Sequence, residues 1–74
     1  MFLRQLRAAR ERVGLSQEQL AQTLRATQSF ISKCERGERR LDLVELRAWC
    51  AALGVPLPKF VSEWDKLVER GAAE

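Results

Sequence analysis

Seventy-four residues with 46% apolar and 31% charged side chains make a chain of single-domain size, and a fold this small buries only about two-thirds of its unfolded surface. That leaves little room for a deep catalytic pocket, while the ordinary apolar content argues against disorder beyond the last few residues. The net charge of +3 is unevenly spread: residues 1 to 40 hold nine Lys/Arg against four acids, and residues 41 to 74 hold four bases against six acids. A positive half of this kind suits a face that meets a polyanion, although a solvated Arg-rich surface has the same composition.

No apolar run approaches the roughly 18 residues that span a bilayer, and no secretory signal pattern opens the chain, so a cytoplasmic protein is expected. Cys34 and Cys50 lie sixteen residues apart with no histidine anywhere. That pattern fits neither the usual Cys/His zinc sites nor a disulfide framework, so no metal and no cofactor are expected. Both thiols read as small buried apolar residues, with a redox role as the alternative.

In chain order, residues 2 to 12 carry apolar positions at 2, 3, 6 and 9, continued by Val13, with arginines on the other faces. This is a helical stripe, ended by Gly14 as a left-handed cap. A second helix is expected from about Gln17 to Leu24, with Ser16 and Gln19 forming a capping box. A third runs from about Gln28 to Arg36, with Thr27 as its hydroxyl N-cap and Gly37 as its stop. Glu38 to Leu41 form a charged loop. Asp42 caps a fourth helix, with Glu45 three residues on, and Leu43, Val44, Leu46, Trp49, Cys50 and Leu53 carry it to Gly54. Val55-Pro56-Leu57-Pro58 is a rigid connection whose second proline suits the first turn of a fifth helix, Pro58 to about Glu69. Residues 1 to 70 thus form one all-α domain, with 71 to 74 as a frayed tail.

The second and third helices are separated only by Arg25-Ala26-Thr27. Two capped helices joined so tightly must cross steeply, and the small Ala21 stands where they would meet. Such a pair is the outline of a helix-turn-helix, whose second helix enters the DNA major groove. An ordinary helical hairpin is the bland alternative.

Three blocks decide between them: Leu6 to Ala21 (LRAARERVGLSQEQLA), Gln28 to Asp42 (QSFISKCERGERRLD), and Leu53 to Leu57 (LGVPL) followed by Phe60. In this order they resemble the Cro/C1 or XRE-type helix-turn-helix regulators of phage repressors and bacterial transcription factors. The resemblance implies a compact five-helix, lambda-repressor-like fold in a bacterial or phage-encoded protein at the nucleoid. It also implies a helix 3 that reads double-stranded DNA, usually as a homodimer on a palindromic operator. One departure is Arg25, which stands where helix-turn-helix units often have glycine. A left-handed arginine costs on the order of 1 kcal/mol, so Arg25 either bears that strain, relaxes the turn or reaches toward phosphate.

Turning about 100° per residue puts Phe30, Ile31 and Cys34 on one side of helix 3, and Gln28, Ser29, Ser32, Lys33 and Arg36 on the other. Gln28, Ser29, Ser32 and Lys33 are short enough to reach base edges. Glutamine pairs with adenine N6/N7, serine contacts any base, and lysine donates to guanine or phosphate. Arg36, Arg39 and Arg40 follow the reading helix and suit phosphates. The resemblance adds Gln17, at the start of helix 2, as a phosphate anchor with Thr27 beside it. It also implies an internal ion pair between Arg10 and Glu35. In helix 5, Phe60, Val61, Trp64, Leu67 and Val68 offer either a dimer interface or closure of the core.

An enzyme is not expected. There is no histidine, tyrosine or glycine-rich phosphate loop, and Ser32 and Lys33, adjacent on a helix, diverge too far for a dyad. The serious rival is an adaptor or antitoxin-type protein that binds a protein partner through helix 5, with DNA binding secondary.

Overall fold

A computed structural model describes residues 2–71. It contains α1 (Phe2–Arg12), α2 (Gln17–Leu24), α3 (Gln28–Glu35), α4 (Leu43–Leu53) and α5 (Leu57–Glu69), with no strand among the described residues. Of the tail expected to fray, Gly71 N–H donates to the Val68 carbonyl at 2.9 Å, and 72–74 lie outside the described residues.

Local signals set the helix ends. Ser16 and Asp42 each accept from the backbone N–H three residues on, and the Gln19 and Glu45 side chains return the bond to the cap residue. These reciprocal boxes satisfy donors that a helix start otherwise leaves unpaired. Thr27 Oγ1 accepts from Phe30 N–H at 3.1 Å. α5 starts one residue earlier than expected, at Leu57, because Pro56 takes the N-cap position and Pro58 falls within the first turn.

α1 to α4 all end in the same backbone motif, with two N–H groups just past the helix bonding back to carbonyls of its last turn. The motif needs one left-handed residue, and three of the four are glycines. The fourth is Arg25, at φ 55° and ψ 41°. The turn is therefore not relaxed: Arg25 N–H reaches Gln22 O at 3.2 Å and Ala26 N–H reaches Ala21 O at 2.8 Å. The arginine bears a local strain on the order of 1 kcal/mol, and the two bonds that close the turn oppose it.

The core is built by Leu6 and Ala9 of α1, Leu20 and Ala21 of α2, Ile31 and Cys34 of α3, Leu46, Trp49, Cys50 and Leu53 of α4, and Phe60 of α5. α3 packs against α1 and α2, and α4 packs against α2 and α5. Ala21 is buried at the crossing of α2 and α3, where a larger side chain would hold the two backbones apart. Cys34 and Cys50 are free and buried, and burial pushes both thiols above their ordinary range.

Two apolar expectations are corrected. Leu43 and Val44 do not join the core but stand 66% and 79% exposed. They occupy the first turn of α4, before its buried stripe at 46, 49, 50 and 53 begins, and Leu41 packs against the core in their place. Val13 lies just past the end of α1 and is exposed.

Candidate nucleic-acid interface

α3 is held to the body of the protein by one side. Ile31 and Cys34 are buried, and Glu35, next to Cys34, faces Arg10 of α1. Arg10 Nε donates to Glu35 Oε2 at 2.7 Å and Nη2 to Oε1 at 3.1 Å. These side chains are only 9% and 4% exposed. Arg10 Nη1 also donates to the Leu15 carbonyl at 2.7 Å, so one guanidinium ties α1, the first turn and α3 together. The bond to Glu35 raises the Arg10 pKa, against an opposing contribution from burial.

Gln17 extends this cluster to the surface. Its Nε2 donates to Glu35 Oε1 at 3.1 Å, and its Oε1 accepts from Gln28 Nε2 at 3.2 Å. The Gln17 side chain, expected at a phosphate, is therefore engaged within the protein, and its backbone N–H at the start of α2 remains the group suited to an anion.

Gln28, Ser29 and Lys33 are exposed on the outer side of α3, whereas Ser32 is half-buried. Ser32 Oγ accepts from Arg36 Nη1, and Arg36 Nε donates to Glu38. That bond raises the Arg36 pKa and holds the Glu38 carboxyl below the usual range. The pair is more than half exposed on both sides, so Arg36 is a surface cation whose partner water can replace. Arg40 is likewise exposed.

Arg39, expected as a phosphate clamp, has partners within the protein. Its guanidinium carbon lies 4.9 Å from the centroid of the Phe30 ring, and its Nη1 and Nη2 donate to Glu45 Oε1 and Oε2 at 3.1 and 2.8 Å. No sequence signal short of the fold pairs residues 30, 39 and 45.

α5 divides its expected interface. Phe60 is buried, edge-on to Phe2 with ring centroids 6.0 Å apart, and its carbonyl accepts from Gln5 Nε2 at 2.9 Å. It closes the core and leaves the exposed set. Trp64 and Leu67 are half-buried, and Val61 and Val68 are exposed.

Two short capped helices across a three-residue turn, the second with one side in the core and a polar side in solvent, define a helix-turn-helix DNA-binding protein. Residues 2–60 match the helix-turn-helix domain family. Among solved structures, the chain is similar to an XRE-family like protein from Pseudomonas syringae pv. tomato str. DC3000, with 36% identity, a TM-score of 0.85, and coverage of 89% of this chain and 80% of that one. No curated protein matches. The chain belongs to the XRE-type helix-turn-helix family. It is a DNA-binding regulator, and none of the helices among the described residues is long and apolar enough to cross a membrane.

Proposed function

We propose that α3 lies in the major groove and reads sequence through Gln28, Ser29 and Lys33, with Ser32 reaching a base only where Arg36 releases it. The carrying observation is the division of α3, with Ile31 and Cys34 in the core and Gln28, Ser29 and Lys33 exposed. Gln28 suits adenine, Ser29 contacts any base, and Lys33 takes guanine O6/N7 or a phosphate. The backbone N–H of Gln17, the Thr27 hydroxyl proton, Arg36 and Arg40 meet phosphates and set the register. Arg36 exchanges Glu38 for phosphate.

The working form is a homodimer on a palindromic operator, joined through Val61, Trp64, Leu67 and Val68 of α5. Two reading helices then fall about 34 Å apart on one side of the duplex. The role is transcriptional regulation in the cytoplasm rather than catalysis.

Selection of bound sites from random duplexes, followed by titration at two salt concentrations, tests this. The expected result is a palindromic consensus and a steep fall of affinity with salt. Sedimentation tests the dimer. The exposed Val61 and Val68 also suit a protein partner, and a monomer without DNA affinity would favour that adaptor reading.

A further inference from the structure

Three contacts converge on Arg39, an exposed residue whose partners all belong to the protein. Its guanidinium covers the Phe30 ring at 4.9 Å. Nη1 and Nη2 form a two-pronged pair with the Glu45 carboxylate, and Nη1 also donates to the Arg40 carbonyl. Three N–H bonds and one face of the group are thus engaged by the protein itself, at its surface.

Glu45 is itself fixed. It is the third residue of α4, its backbone N–H donates to Asp42 Oδ1 at 2.7 Å, and its Oε1 accepts from Asp42 N–H at 2.9 Å. Phe30 sits directly beside Ser29 and two residues from Gln28, in the half of α3 that carries the exposed polar side chains. A single exposed ion pair is a weak device. A planar fork on a carboxylate already held by a capping box, stacked on an aromatic ring, sets an orientation.

We propose that Arg39 is a positioning residue: it clamps the Phe30 end of α3 to the start of α4, so that base preference depends on Arg39 without its touching DNA. The inference rests on α3 being the reading helix. It assigns sequence discrimination partly to the loop after that helix, and it makes Glu45, an acid, a residue that favours binding to a polyanion.

That sign is the handle for the test. Glu45→Gln keeps the capping box, because glutamine serves equally at its third position, but removes the charge that holds Arg39. Electrostatics alone would tighten DNA binding on loss of an acid. The clamp demands the reverse: operator affinity falls, and with it the ratio of operator to non-operator affinity, by roughly tenfold, within the range of coupled neighbours.

Arg39→Ala and the charge-conserving Arg39→Lys should lower the ratio by a similar factor and leave the salt slope unchanged. Arg40→Ala, as a phosphate-contact control, should lower the slope by about one and leave the ratio intact. In the free protein, hydrogen exchange at the Phe30 and Ile31 amides should accelerate in Arg39→Ala and Glu45→Gln but not in Arg40→Ala. A slope reduced by about one in Arg39→Ala, together with tighter binding by Glu45→Gln, would overturn the proposal, as would unchanged exchange in the free variants. If the wild-type protein shows no base preference, it is the reading role of α3 that fails, and the exchange measurement still decides the clamp.

Discussion

The two sides of α3 use the same chemistry to opposite ends. On the inner side Glu35 pairs with Arg10 out of solvent, and on the outer side Arg36 pairs with Glu38 where both side chains are more than half exposed. The inner pair has lost its hydration, so its bonds must be complete, and they are: two from Arg10 and one from Gln17 reach the carboxylate. The outer pair keeps its hydration and is worth little to the fold, which leaves Arg36 free to exchange a carboxylate for a phosphate. The reading role proposed for α3 needs both, an immovable back and an uncommitted front.

Glu35→Ala tests the contrast most severely. It strands the Arg10 cation in a site from which water is largely excluded, and should cost about 3 to 5 kcal/mol in urea unfolding. A loss under about 1 kcal/mol, the range of an exposed pair, would erase the distinction.

Gly37→Ala probes where the inner side ends. Gly37 has φ +80°, and a Cβ there would lie 2.8 Å from Leu3 Cδ1, so destabilisation of about 1 to 3 kcal/mol is expected. Gly54→Ala, with open space around its Cβ, is the matched control for backbone strain alone and should lose less.

Gln28→Ala addresses the outer side. It should leave the melting temperature nearly unchanged while weakening the preferred operator by about 1 to 3 kcal/mol and relaxing one base position. An unchanged consensus would mean that Gln28 is not in the reading register.

The smallest effect belongs to Glu38. Its pKa is lowered by Arg36, so its contribution to stability is present above the ordinary glutamate range and is lost as pH falls through the lowered value. Glu38→Gln should remove that part of the acid dependence. It should also tighten DNA binding slightly, since Arg36 no longer has a carboxylate to leave.

The helices were legible in the sequence because their ends are local events. Ser16, Thr27, Asp42 and the glycines at 14, 37 and 54 act within four or five residues of chain, and their signals survive without knowledge of the fold. The division of α3 was legible from its period for the same reason. What the sequence hid depends on direction across the fold. Leu43 lies on the right stripe of α4 but one turn before the core begins, and Phe60 carries the same apolar signature as Val61 although only one of them is buried. Gln17 and Arg39 are surface-type residues by composition, and only the packing of α1 and α4 against the helix pair supplies the partners that engage their side chains.

The chain of side chains from Arg10 through Glu35 and Gln17 to Gln28 has a direction. An ionised carboxylate can only accept, so the amide of Gln17 must turn its NH2 inward to Glu35 and its oxygen outward. Gln28 then answers with its own NH2. Each amide is oriented by the one beneath it, and the sequence of donors and acceptors is dictated from the buried end. Of the two ways an isolated glutamine amide can be turned, Gln28 is left with one, presenting a free oxygen and one remaining N–H. The pattern of donor and acceptor that Gln28 shows at the surface is thus decided by the charge of a residue that stays inside the protein.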